Sequence, residues 1–423
     1  MDIKLPKDPD HNLNRSLPTW LSKASNPQDH GKNVSNKFLH IEEAELARMR
    51  SALSSDVLYG EKAEAAKDVG AKITIAGLEK GSKNRYNNIW PFEHSRVVLG
   101  GRDGACDYVN ASHVKSSLSN KQYIASQAPL PATYDDFWSA IWQEDVRVIV
   151  MLTAESEGGQ LKCHPYWQGK QFGQLRLKSF SERKISLEPN KHRRSSTRQM
   201  SSATASEVVA DATADVRRPR SATTTESPVS PTVKGEKEPP YAVIRKFTLS
   251  HTAEPFAPMR EITQLHYSGW PDFGAPEEPA HILALVELSN AMQRAALLPQ
   301  VSHRADEPAT AEDSRPMLVH CSAGCGRTGT FCTIDTVVDM LKRQRMEARS
   351  GTTPMEGTET GSSHPTTGLA GDNAWVFNSE IDLIEKVVVE FRKQRISMVQ
   401  TLVQYVLCYE TVLEWVRQQK TSS

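Results

Sequence analysis

The chain has 423 residues, of which 38% are hydrophobic, and Lys plus Arg and Asp plus Glu each number 51. A core of domain size is therefore available, and the balanced charge gives no reason to expect nucleic acid or an anionic membrane as partner. A mean hydropathy of −0.51 implies that part of the length is polar and uncored. The N-terminus, "MDIKLPKDPD", lacks the apolar stretch of a signal peptide, and the longest apolar run, around Val146 to Ala154, is too short to span a bilayer. Six cysteines (Cys106, Cys163, Cys321, Cys325, Cys332, Cys408) follow no secreted-framework spacing. The expectation is a soluble, monomeric protein of the cytoplasm, with the nucleus as a second compartment.

In chain order, residues 1–37 read as a mostly disordered N-terminal arm, polar except for the anchor "LPTWL". A helix is expected at "IEEAELARMRSAL", where Ile41, Leu46, Met49 and Leu53 recur at helical spacing. β-like runs follow in "DYVNASHV", "QYIASQAP" and "VRVIVMLT". Between the last two, "PATYDDFWSAIWQED" reads as a helix with Thr133 as N-cap and Asp135 and Asp136 in its first turn. Further strands are expected at "YAVIRKFTLSH", "REITQLHY" and "MLVH", and helices at "HILALVELSNAMQRAALL", "NSEIDLIEKVVVEFRKQ" and "TLVQYVLCYETVLEWVRQQ". Three polar stretches, about 189–239, 299–315 and 346–373, hold too little apolar content to offset the entropy of ordering. They are expected to be disordered insertions extruded from the surface of a single domain over 38–420. This alternation predicts an α/β fold with a mixed sheet.

The chemistry concentrates in "VHCSAGCGRTGTF", Val319 to Phe331. A strand ends at His320, and a helix with an apolar face begins near Thr328. Between them Ser322, Ala323, Gly324, Cys325 and Gly326 are small enough to curl with their N–H groups inward, an anion nest at a helix start. Donors that bind a phosphate also stabilise a thiolate, so Cys321 is expected to be acidic. Arg327 can hold two phosphate oxygens with its fork. A nucleophile and an oxyanion clamp facing one ligand point to attack on phosphorus, and without a Walker lysine the loop does not read as a nucleotide P-loop.

"HCSAGCGRTG" resembles the signature loop of the cysteine-dependent, tyrosine-specific protein phosphatases. "KNRYNNIWPFEHSRV", "DYVNASHV", "YIASQAPLPATYDDFW", "IVMLTAESEGGQLKCHPYW", "LHYSGWPDFGAP" and "MVQTLVQY" resemble further blocks of that family, in its order, over about Lys83 to Gln404. The resemblance implies a highly twisted mixed β-sheet flanked by helices, and two-step covalent catalysis without metal or cofactor. It implies Asp272 of "WPDFG" as general acid and then base on a closing loop, and Gln400, with Gln404 beside it, orienting the hydrolytic water. Thr328 takes the place of the hydroxyl that helps the sulfur leave, and His320 would hold the loop and tune the thiol. Tyr86 resembles the aromatic that stacks on phosphotyrosine and deepens the cleft beyond the reach of phosphoserine. Asn88 stands where some members carry an aspartate that anchors the substrate backbone. Glu157 and Lys162 resemble the pair bracing the arginine and the closed acid loop, Phe273 would pack under that loop, and Trp270 and Arg392 resemble parts of its hinge. Implied partners are phosphotyrosine proteins, signalling kinases among them.

Other readings of the same residues are weaker. His320, Cys321, Cys325 and Cys332 lack metal-site spacing. "DFG" at Asp272 comes without other kinase segments. A catalytically dead binding scaffold would be expected to lose Cys321, Asp272, Arg327 or Gln400, and all four are present. A phosphoinositide or dual-specificity phosphatase would favour extra loop lysines and no Tyr86. Cys325 and Cys163 read as packing residues, with a redox alternative in which either traps oxidised Cys321. Ser195, Ser196 and Ser221 follow basic runs, and Ser227 and Ser230 precede Pro, as kinase targets do. "RKISL" reads as a frayed strand before a docking peptide.

Overall fold

The computed structural model describes residues 17–53, 73–100, 106–188, 239–297, 304–311, 315–350 and 374–421. Helices α1 (Thr19–Ala24) and α2 (Lys32–Ala52) lead into strands β1 (Arg96–Val98), β2 (Tyr108–Lys115) and β3 (Gln122–Ser126), helix α3 (Tyr134–Gln143) and strand β4 (Val148–Met151). A small hairpin, β5 (Ser156–Glu157) and β6 (Gln160–Leu161), precedes β7 (Gln171–Phe172), β8 (Leu175–Ser186), β9 (Tyr241–His251) and β10 (Arg260–His266). Then come helix α4 (Pro279–Ala295), strand β11 (Met317–His320) and helices α5 (Gly326–Ser350), α6 (Leu383–Gln394) and α7 (Leu402–Thr421).

Nine of the described strands form one twisted mixed sheet in the order β1-β2-β3-β11-β4-β10-β9-β8-β7. Its centre, β3, β11, β4 and β10, is parallel, and antiparallel ribbons extend it on both sides. "VIVM" of β4 and "MLVH" of β11 are buried at every position, as strands covered on both faces must be. Alternate side chains serve opposite faces. Val148, Val150, Met317 and Val319 join the core under α4, α5, α6 and α7, whereas Ile149, Met151 and Leu318 join the core under α3. No helix among the described residues is long and apolar enough to cross a membrane.

Several local expectations are corrected. Residues 17–37 are largely helical where a mostly disordered arm over 1–37 was expected, and Trp20 and Leu21 are buried. Trp20 meets Tyr409 of α7 edge-on, ring centroids 6.2 Å apart; residues 1–16 lie outside the described residues. Helix α2 turns inward a face carrying Val34, Ile41 and Glu45, leaving Leu46 and Leu53 53% and 40% exposed. Ion pairs from Glu42 and Glu45 to Arg392 of α6 accompany that rotation. Thr133 sits at the N-cap of α3, but its hydroxyl accepts from Leu130 N–H at 2.9 Å instead of capping the helix. "RKISL" pairs with β9 through Ser186, and Leu187 is buried.

Of the stretch about 299–315, residues 304–311 are held on α5 by polar groups where disorder was expected. Asp339 Oδ1 accepts Ala309 N–H at 2.6 Å, and Lys342 and Arg343 donate to the carbonyls of Ala305 and Ala309 at 2.7 and 3.2 Å. Helix α5 also continues to Ser350, into the stretch about 346–373. Residues 189–238, with Ser195, Ser196, Ser221, Ser227 and Ser230, and residues 298–303, 312–314 and 351–373 lie outside the described residues.

Candidate active site

Between β11 and α5, Cys321 to Cys325 form a loop at the C-terminal edge of the parallel strands, where open α/β sheets place ligands. The path requires glycine at Gly324: its φ is +73°, and a Cβ there would lie 2.1 Å from Ser126 O. Each carbonyl from His320 to Cys325 has a donor. Leu152 N–H bonds His320 O at 2.9 Å, Ala128 N–H bonds Ser322 O at 2.9 Å, and Gly329 N–H bonds Cys325 O at 2.7 Å. His320 Nδ1 bonds Cys321 O at 3.0 Å, and Arg395 bonds Gly324 O and Ala323 O at 2.7 and 3.0 Å. With its carbonyls engaged in this way, the loop can turn amides toward the cysteine, and Gly324 N–H reaches Cys321 Sγ at 3.3 Å.

Burial opposes ionisation of the Cys321 thiol. The Arg327 guanidinium, the Thr328 hydroxyl and the amides of Thr328 and Cys325 outweigh it, so the pKa lies below the ordinary thiol value. Thr328 Oγ1 is buried with no other hydrogen-bond partner among the described residues, which leaves it available to a thiolate. The neighbouring thiols behave oppositely. Burial pushes Cys163 and Cys325 each up to about 12, despite the opposing charges of Arg85 and Arg395 respectively. Of these three thiols, Cys321 is thus the one whose anion its surroundings favour. His320 is fully buried and its pKa falls to about 3, chiefly through burial, so the ring is neutral.

Arg327 is 1% exposed and has its fork filled: Nη1 lies 2.6 Å from Glu157 Oε1 and 2.8 Å from Trp270 O, and Nη2 lies 3.1 Å from Asp272 Oδ1. Lys162 Nζ holds the other Asp272 oxygen, Oδ2, at 2.9 Å. Asp272 thus bridges the loop arginine and Lys162. Glu157 sits on β5, ahead of a turn of two positive-φ glycines, Gly158 and Gly159. Trp270 is buried, and its Nε1 donates to Gly274 O at 3.0 Å, closing the base of the Asp272 loop. Phe273 is 56% exposed with φ +55°, so it does not pack under that loop; its carbonyl accepts from Thr401 Oγ1 at 3.2 Å.

Tyr86 OH lies 2.7 Å from Ser322 Oγ, and Ser322 Oγ donates to Lys162 O at 2.9 Å, which ties Tyr86, the loop and Lys162 together. Asn88 is exposed. Gln404 Oε1 accepts Gln400 N–H at 3.0 Å, and both side chains crowd Gly326, where a Cβ would meet Gln404 Oε1 at 2.8 Å and Gln400 Cβ at 3.2 Å. Arg392 does not belong to the Asp272 loop. It is fully buried beneath the turn before Gln400, donating to Met398 O and Val399 O at 2.9 and 2.6 Å and pairing with Glu45 and Glu42 at 3.0 and 2.6 Å. The arginine at Trp270 is Arg327. Arg395, Glu42 and Glu45 are supporting residues that the motifs did not reveal. A buried-face spacing of Ile41, Glu45 and Ala52 was the one available signal for Glu45.

A model of the protein-tyrosine phosphatase family matches residues 80–218 and 217–353, more than half of the chain. Rat receptor-type tyrosine-protein phosphatase C is 28% identical over 352 residues, covering 82% of this chain and 20% of that protein. The mouse counterpart is 27% identical over 336 residues, covering 79% and 18%. The chain spans about a fifth of the length of these relatives. In fold it resembles a PTPN18 structure solved for its fingerprint on distinct HER2 tyrosine phosphorylation sites (TM-score 0.56, 24% identity, 96% of this chain and 99% of that one). It also resembles the catalytic domain of human protein tyrosine phosphatase non-receptor type 18 (TM-score 0.52, 24% identity, 91% and 96%).

Proposed function

The chain belongs to the protein-tyrosine phosphatase family, and on that premise we propose that it hydrolyses phosphotyrosine in proteins through a cysteinyl-phosphate intermediate. The observation that supports this most is the pairing of one acidified thiol, Cys321, with an arginine fork that also holds a carboxylate, Asp272. Phosphate entering the loop takes over Arg327 Nη2 and the inward amides. Cys321 Sγ then bonds phosphorus as the bond to the tyrosine oxygen breaks, and Asp272 gives that oxygen a proton. In the second step Gln400 orients a water, Asp272 takes its proton, the S–P bond breaks, and the Thr328 hydroxyl stabilises the returning thiolate. Tyr86 lines the ring and sets a depth that phosphoserine does not reach. No metal or cofactor enters the scheme.

We assign the activity to cytoplasmic signalling, with phosphotyrosine-bearing kinases as substrates and a monomeric chain; the HER2 sites addressed by the PTPN18 structure are substrates of this chemical class. Quenching turnover of a Gln400→Ala variant in denaturant tests the mechanism. A phosphoryl group mapped by mass spectrometry to Cys321 is expected, whereas one on another side chain, or none during turnover, contradicts it.

A further inference from the structure

Behind the nucleophile loop lies a buried polar group that the reaction scheme does not use. Arg245, on β9, is 8% exposed and stacks 4.6 Å over the ring of Trp167. Its Nε pairs with Glu182 at 2.7 Å, while Nη1 reaches Gln264 Oε1 at 3.1 Å and His266 Nδ1 at 3.3 Å. A guanidinium only donates, and that fact gives a direction to the bonds through Gln264, Tyr166 and His266. Gln264 must present its oxygen to Arg245, so its Nε2 donates to Tyr166 OH at 2.7 Å. Tyr166 then spends its proton on His320 Nε2 at 2.8 Å. The His320 proton is consequently on Nδ1, donated to Cys321 O. On the other branch His266 accepts at Nδ1, so its Nε2–H donates to Thr153 O at 2.9 Å, and the Thr153 hydroxyl donates to Glu157 Oε1 at 2.8 Å, the oxygen that binds Arg327.

We propose that Arg245 is a positioning residue for both halves of the site: through Gln264 and Tyr166 it sets the His320 tautomer that holds the Cys321 carbonyl, and through His266 and Thr153 it aligns Glu157 behind Arg327. A reversed chain would place the His320 Nδ1 lone pair against the Cys321 carbonyl, costing the loop one of its outward bonds. The groups facing His320 are Tyr166, His266, Arg85 and Arg327, and of these Tyr166 alone bonds its Nε2. The proposal rests on the phosphatase reading for its kinetic consequence but not for its tautomer.

The test is Gln264→Glu, nearly isosteric and still a partner for Arg245. The new carboxylate has no proton to give, so Tyr166 must donate to it and His320 must protonate Nε2 to bond Tyr166. Side-chain ¹⁵N NMR of His320 is expected to report Nδ1–H in the parent and Nε2–H in the variant, with kcat for a phosphotyrosyl peptide lower by roughly 3- to 10-fold, the worth of one hydrogen bond. An Nδ1–H His320 in the variant, or a switched tautomer with unchanged kcat, overturns the first branch. Arg245→Met tests the second: inhibition by inorganic phosphate should weaken by a similar factor, and an unchanged inhibition constant in the folded variant overturns it. The NMR readout needs no turnover, so an enzyme inactive toward phosphotyrosine would refute the proposed function without touching the tautomer.

Discussion

Asp272 Oδ1 lies 3.1 Å from Arg327 Nη2, so the carboxylate occupies part of the fork that a phosphate needs. Asp272→Ala should therefore have two effects of opposite sign. Phosphotyrosine turnover falls by ~10²–10⁴, the usual worth of a general acid, and much less for aryl phosphates with acidic leaving groups. Inorganic phosphate or vanadate, freed from competition with the carboxylate, binds at least as tightly as to the parent. Equal losses on both substrates, measured by steady-state kinetics, would refute the acid assignment.

Cys321 ionises below the ordinary thiol value even though burial opposes it, because Arg327 and the Thr328 hydroxyl favour the anion. Its alkylation by iodoacetate should therefore rise with pH through a midpoint below that of a free thiol. Thr328→Ala removes one stabiliser of the anion and should move that midpoint upward. A pH series on both proteins checks the sign, and a downward or absent shift contradicts it.

Gly324→Ala should disable the loop. The substitution forces a left-handed φ costing ~1–2 kcal/mol, and its Cβ meets the backbone at Ser126 O, 2.1 Å away. Loss of phosphatase activity and a lower melting temperature are the expected outcome, read by kinetics and calorimetry on the same preparation.

Glu45 and Arg392 form a pair that is nearly out of solvent, at 9% and 0% side-chain exposure. Burial raises the Glu45 pKa more than Arg392 and the Ser397 amide lower it, so desolvation outweighs the pair's attraction. Folded Glu45 thus holds its proton above the pH at which the unfolded chain loses it. Its titration contributes stability that is present below the unfolded pKa and lost as pH rises through the folded one. Removing the partner differs from titrating it: Glu45→Ala leaves Arg392 buried with less compensation and should cost about 3–5 kcal/mol. Denaturant unfolding measures this, and slower turnover should accompany it because Arg392 holds the turn that carries Gln400.

The loop from Cys321 to Arg327 is legible because its residues are consecutive: a strand end, small residues and Arg327 fall within a few positions. Asp272, Glu157 and Lys162 could be placed because each lies in a recognisable block. Arg392, which the resemblance placed in the hinge of the Asp272 loop, instead bonds the turn before Gln400 and pairs with Glu42 and Glu45, since a motif names a residue without naming what its five donors reach across the fold. The resemblance implies that Phe273 packs under the Asp272 loop, whereas it takes a left-handed backbone and is exposed. The leucines of α2 suggested an apolar face, but two carboxylates bound to a distant arginine accompany a different one. Residues 304–311 looked unfoldable by composition, yet Asp339 and Lys342 supply the hydrogen bonds that composition does not count.

Stoichiometric alkylation at a pH where Cys163 and Cys325 remain protonated tests the role of Cys321 most directly. Iodoacetate is titrated against the protein, the modified residue is identified by mass spectrometry, and phosphate release from a phosphotyrosyl peptide is followed. Release should fall in proportion to Cys321 modification and reach zero when that one thiol is blocked. Phosphate release that persists with Cys321 fully carboxymethylated would contradict the account.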